Sequence, residues 1–175
     1  MKTISRGPDR APFYIGNTPD MNVTDIIDAI GPAIVARACF LVEASIGKDN
    51  DILITIESEN GNVTLEDCES VNDAVLAAFD RDVEDYSLTV SSAGLDQPFK
   101  VLRQYVKAIG SKVEVALKGG RKLVAELTAA DEEGIELHYV ARESVEGSRK
   151  KQNVEHSERF GYEAVNYVRP HITFE

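Results

Sequence analysis

Residues 86–100 read Tyr-Ser-Leu-Thr-Val-Ser-Ser-Ala-Gly-Leu-Asp-Gln-Pro-Phe-Lys. Tyr86, Leu88 and Val90 alternate with Ser87, Thr89 and Ser91, the period of two that puts one face of a strand in a core. Small residues follow at Ser92-Ala93-Gly94, where the glycine permits a sharp turn or a positive φ. Asp96 stands where it would cap a following helix, and Pro98 suits that helix's first turn. Phe99, Leu102, Tyr105 and Ile109 then recur at helical spacing. The stretch predicts a strand, a tight turn and a linker helix over 97–109 leading from one hydrophobic unit into another.

Upstream, Val23, Ile26, Ile27, Ile30 and Ile34 make one helical face, interrupted by Gly31-Pro32, which should kink or divide the helix. Cys39–Ile46 and Ile52–Glu57 read as strands joined by the hairpin connection Gly47-Lys48-Asp49-Asn50, with Ile52, Ile54 and Ile56 on the buried face. Thr64-Leu65-Glu66-Asp67 has capping-box spacing with aspartate at the third position. Behind it Cys68, Val71, Val75 and Phe79 share a helix face. With the strand that ends near Ser91, residues 21–96 form an α+β unit in the order α-β-β-α-β. Residues 1–20 contain three prolines and little periodicity, and they read as a flexible extension.

Downstream the pattern is strands only. Val113, Val115 and Leu117 alternate, Lys118-Gly119-Gly120-Arg121 turns the chain, and Leu123, Ala125 and Leu127 alternate again. Asp131–Gly134 is a second turn before Ile135, Leu137, Tyr139 and Ala141. Short strands with glycine turns predict a small all-β barrel over 110–175. Arg142–Arg159 is a long loop or a long hairpin, and His171–Phe174 is expected to close the barrel as a strand.

The chain has 175 residues and a formal net charge of −11. Residues 1–108 hold nine basic against eighteen acidic side chains, and the remainder ten against twelve, so the acidity belongs to the first half. Such a surface repels a phosphate backbone and attracts basic proteins. No apolar run approaches the ~20 residues of a membrane helix, and no apolar segment follows the basic residues at the N-terminus as a signal peptide requires. Cys39 and Cys68 read as two thiols of a reducing cytoplasm.

Catalytic patterns are missing from the sequence. His138, His156 and His171 have no metal-ligand spacing, and no nucleophile elbow, phosphate loop or dinucleotide fingerprint occurs. Ser91-Ser92-Ala93-Gly94 offers hydroxyls and amides to an anion, but with no base or lysine nearby in sequence it reads first as a structural turn. Four of the six residues Asp80–Asp85 are acidic (Asp80, Asp82, Glu84 and Asp85), either a solvated loop or a docking patch. Lys118, Arg121 and Lys122 flank a hairpin tip, and Arg149-Lys150-Lys151 lies in the polar segment. Either basic group could touch RNA or stand solvated, and no aromatic side chain interleaves with them in sequence.

The string Val90-Ser91-Ser92-Ala93-Gly94-Leu95-Asp96-Gln97-Pro98-Phe99 resembles the signature of the RimP family of bacterial ribosome maturation factors. The order of elements from about Val23 to Val140 is similar too. Ala93, Gln97 and Phe99 stand where that family usually has proline, arginine and leucine. The resemblance implies an α/β N-terminal domain followed by an SH3-like or Sm-like barrel, in the cytoplasm, with no cofactor and no covalent chemistry. It implies transient binding, as a monomer, to the immature small (30S) ribosomal subunit. The expected contacts are the basic protein lining its decoding centre and 16S rRNA. The partner-binding candidates are Asp80, Asp82, Glu84 and Asp85, the turn residues Ser91, Ser92, Gly94, Leu95 and Asp96, and Lys118, Arg121 and Lys122. An Sm-like RNA-binding regulator is the alternative, and an enzyme using Ser92 or His138 the remote one.

Overall fold

The computed structural model describes residues 21–174. The extension expected over residues 1–20 lies outside the described residues. Two units emerge, one running to Ile56 and resuming over Val63–Ser91, the other formed by Glu57–Asn62 and the chain from Ser92 onward.

The first unit runs α1 (Val23–Ala36), β1 (Cys39–Ile46), β2 (Asp51–Ser58), α2 (Leu65–Ala78) and β3 (Ser87–Ser92), with the strands in the order β1-β2-β3. Asn22 starts α1 by accepting the Asp25 amide on its side-chain oxygen at 3.0 Å. Gly31-Pro32 does not divide the helix, which is continuous to Ala36. Pro32 lies on the exposed side, so the carbonyl that loses its amide partner faces water rather than the core, where the loss would cost most. The opposite side buries Ile26, Ile30 and Ile34, whereas Ile27, expected on that face, is 39% exposed.

The predicted capping box forms. Thr64 Oγ1 accepts from the Asp67 amide at 3.3 Å, and Asp67 Oδ2 accepts from the Thr64 amide at 2.8 Å. The other Asp67 oxygen takes the Arg37 guanidinium at 2.7 Å, so this buried carboxylate bridges the end of α1 and the start of α2. The Thr64 amide first and the Arg37 hydrogen bond second hold Asp67 below the usual carboxylate range. A folded-state pKa below the unfolded one stabilises the fold above the ordinary aspartate pKa of about 4, and that contribution is lost as pH falls through the lowered value. Asp67→Asn is therefore expected to flatten the dependence of thermal midpoint on pH below about 4. An unchanged acid limb would show that this bridge contributes nothing.

The core of this unit joins Ile26, Ile30 and Ile34 of α1 to Cys39, Ile52, Ile54, Ile56, Val71, Val75 and Tyr86. Leu88 and Val90 of β3 are half-buried against it.

The second unit contains α3 (Leu102–Ala108) and the strands β4 (Lys112–Leu117), β5 (Lys122–Ala130), β6 (Gly134–Ser144), β7 (Lys151–Gly161) and β8 (Val165–Pro170). They form one antiparallel sheet in the order β7-β6-β5-β4-β8. Val113, Val115, Leu117, Ala125, Leu127, Ile135, Leu137 and Tyr139 line its core with Val165 and Val168, as the alternation predicts for the first three strands. The polar segment after Arg142 is a long hairpin, paired from Gly134↔Gly161 to Ser144↔Lys151. Gly134 is required at its base, because a Cβ there would run into the Phe160 carbonyl oxygen.

Two expectations fail in this unit. The helix begins at Leu102, not after Asp96, and Pro98 lies outside it. Residues 94–97 form a turn closed by the Gln97 amide on the Gly94 carbonyl, and the Phe99 amide donates to the Val168 carbonyl at 2.8 Å, holding the chain extended beside β8. The cap comes from Gln104, whose Oε1 accepts the Lys100 and Val101 amides at 2.7 and 3.2 Å. The closing strand is β8 rather than His171–Phe174, and it pairs with β4 from Leu117↔Val165 to Val113↔Pro170.

Candidate functional site

The acidic loop of the first unit lies between α2 and β3. Its backbone coils, with the Val83 and Glu84 amides both donating to the Asp80 carbonyl, and Asp80 Oδ1 accepts the Asp82 amide at 2.9 Å. Asn50, at the hairpin between β1 and β2, donates its side-chain amide to Glu84 Oε1 at 3.0 Å and to the Asp85 carbonyl at 3.3 Å. Asn50 holds φ of 57° there, a left-handed conformation that asparagine tolerates. Asp80, Asp82 and Asp85 remain exposed, while Glu84 is half-buried by its anchor. Arg81 is turned back over the Tyr86 ring, 5.0 Å from its centre. The loop thus presents three carboxylates on a tethered backbone.

The signature turn spans the passage from β3 into the second unit. Ser91 is half-buried near the end of β3, and Ser92, Gly94, Leu95 and Asp96 are exposed, Leu95 to 68%. Gly94 does not adopt a positive φ, and a side chain there would meet Asp96 Oδ1 at 2.9 Å and Gln97 Cγ at 3.0 Å. Asp96 caps no helix; its Oδ1 accepts the Gln97 side-chain amide at 3.3 Å.

In the second unit the turn between β4 and β5 rests on Gly119 and Gly120, at φ of 100° and 93°, which glycine alone adopts without strain. Lys118, Arg121 and Lys122 are exposed around it, but they are not equivalent. Arg121 donates to the Tyr139 hydroxyl at 2.7 Å, and Tyr139 donates to Glu158 Oε1 at 2.7 Å. Burial, then the Glu158 carboxylate, pushes the Tyr139 phenol above its ordinary pKa, so it stays a donor at neutral pH. Among the described residues Lys118 and Lys122 form no ion pair. Tyr167 stands near Lys122, the two lining one shallow cavity of about 230 Å³ with Glu114, Val115, Leu123 and Val124. Sequence spacing hid that neighbour, because it arrives through β8. No period marked Tyr167 either, because the buried residues of β8, Val165 and Val168, are three apart and do not alternate.

His138 Nδ1 lies 3.2 Å from Ser157 Oγ, His156 stacks on Tyr139 with Nε2 3.0 Å from Glu143, and His171 Nδ1 lies 3.2 Å from Glu114. Among the described residues Cys39 and Cys68 form no disulfide, and burial raises the Cys68 pKa. Among the described residues no group of three or more His, Cys, Asp or Glu side chains is placed to hold a metal ion. No described helix is long and apolar enough to cross a membrane. Ser92 and His138 lie in separate elements; among the described residues Ser92 has no hydrogen bond to a base, and the His138 ring faces the Ser157 hydroxyl instead.

Sequence reasoning also missed acidic side chains along α2. Glu66, Glu69 and Asp73 are exposed at i, i+3 and i+7. Their signal was the same helical period that located the buried Val71 and Val75.

Comparison with known proteins bears on the whole arrangement. The RimP N-terminal domain family model matches residues 29–96. A protein of Porphyromonas gingivalis named ribosome maturation factor RimP is 37% identical over 113 residues, 65% of this chain and 74% of that protein. The protein of that name from Flavobacterium psychrophilum is 34% identical over 128 residues, 72% of this chain and 80% of its own. That of Christiangramia forsetii is 33% identical over 138 residues, covering 79% and 89%.

Proposed function

The chain belongs to the RimP family of bacterial ribosome maturation factors, and from that premise we propose that it binds the immature small (30S) subunit transiently and assists its late assembly without covalent chemistry. The observation that carries this is the tethered acidic loop, where Asp80, Asp82 and Asp85 face solvent on a backbone fixed by Asn50. An anionic surface with a preset shape selects a basic protein, and it disfavours bare RNA as the first contact. The partner is the basic small-subunit protein that lines the decoding centre. The chain acts in the cytoplasm as a monomer, and its five-stranded unit is the SH3-like or Sm-like barrel of the family. Release follows when the maturing RNA removes the docking surface.

Deleting the gene tests the role in the cell. Free subunits carrying unprocessed small-subunit RNA are expected to accumulate, and the chain supplied from a plasmid should clear them. An unchanged ribosome profile would contradict the proposal.

One observation favours a second reading. Exposed Lys122 lines one shallow cavity with Tyr167, a cation and an aromatic ring of the kind that hold single-stranded RNA. Salt-steep binding of the intact chain to single-stranded RNA, lost in Lys122→Glu, would favour an Sm-like RNA-binding regulator.

A further inference from the structure

β3 is an edge of the three-stranded sheet, so one row of its backbone amides and carbonyls has no strand beside it among the described residues. Edge strands are normally blunted by lysine, proline or other charge. The edges of the second unit follow that rule, with Lys151, Glu155, Glu158 and Arg159 in β7 and Arg169 and Pro170 in β8. β3 does not: its sequence is Ser-Leu-Thr-Val-Ser-Ser.

Beside this edge lies a shallow groove of about 310 Å³, lined by Cys68, Glu69 and Asn72 of α2 and by Leu88, Thr89 and Val90 of β3. Leu65 and Leu76 lie on the same stripe of α2 as Glu69 and Asn72, and they are 75% and 42% exposed. A helix alongside an open strand edge, with half-exposed apolar side chains between them, is the geometry that accepts an extended peptide as an added strand. Main-chain hydrogen bonds to β3 would supply affinity, and alternate side chains would drop into the groove.

The charge around the groove says what occupies it. Glu66, Glu69 and Asp73 run along α2, and the Asp80–Asp85 loop leads directly into the first residues of β3. Of the nearby cations, Arg37 is bound to Asp67 with Glu66 at 3.9 Å, and Arg81 covers Tyr86. The rim is thus acidic along the helix and at the entrance to the strand. We propose that β3 and α2 capture an extended, lysine- or arginine-bearing segment of a partner protein by strand addition. The proposal rests on the reading of the acidic surface as a protein-binding face, and adds the site and the mode.

The test uses the intact chain and a short blocked peptide alternating lysine with valine. A second peptide of the same sequence carries N-methyl groups on alternate residues, so that its charge is kept and one hydrogen-bonding edge is lost. The parent peptide is expected to slow amide exchange in β3, and methylation to weaken binding about tenfold or more, since several main-chain hydrogen bonds are removed. Asn72→Trp, which fills the groove, and Glu69→Lys, which leaves it open but reverses its charge, should each weaken the parent peptide. Equal affinity for both peptides, or protection that falls outside β3, would overturn the proposal. Small-subunit binding that persists beside either of those results would leave the broader functional reading intact.

Discussion

Ile54→Ala is expected to destabilise the first unit by about 2–5 kcal/mol, the range for emptying a buried isoleucine site. Ile54 is fully buried, with Ile52 and Ile56 on the same face of β2 and α1 and α2 packed over them. The void lies where helices and sheet meet, so little can collapse into it, and whole domains are stable by only about 5–15 kcal/mol. Hydrogen exchange reads the effect unit by unit: amides of β1, β2 and β3 should exchange at least tenfold faster, while β4–β8 keep their rates. Leu53→Ala, on the opposite face and 40% exposed, should cost about 1 kcal/mol or less. Equal effects at the two positions would mean that the core is not where the structure puts it.

The second large effect is on binding. Reversing Asp80, Asp82 and Asp85 to lysine together is expected to weaken small-subunit binding roughly ten- to hundredfold at low salt. Each exposed pair contributes ~0.2–1 kcal/mol, and reversal replaces attraction by repulsion. The difference should shrink as salt rises, because screening shortens to about 3 Å at 1 M. Glu84→Gln alone tests a separate point. Its oxygen still accepts from Asn50, so binding should fall little if shape rather than that single charge matters. Unchanged affinity of the triple variant at low salt would remove the acidic loop from the interface.

Much of the fold was legible because it is written in side-chain periodicity. Ile52, Ile54 and Ile56 declare a strand, and Thr64 with Asp67 declares a helix start, since both signals are local. Asp96 misled because the competing interaction is distant in sequence: the Phe99 amide is taken by Val168, and the cap passes to Gln104. β7 was ambiguous because an edge strand paired through its backbone needs no apolar alternation, and its residues are mostly charged or polar. Gly31-Pro32 looked like a break, but with Pro32 outward the packing of Ile30 and Ile34 keeps α1 in one piece. The candidate site was half legible. Acidic residues could be counted from the sequence, whereas the Asn50 tether, the hold of Tyr139 on Arg121, and the nearness of Tyr167 to Lys122 depend on the fold.

The most direct measurement is co-sedimentation of the purified chain with immature and mature small subunits across a salt series. Binding that prefers the immature particle and weakens with salt is the predicted result. Equal binding to both particles, or binding to neither at any salt, would contradict a role in maturation carried by the acidic face.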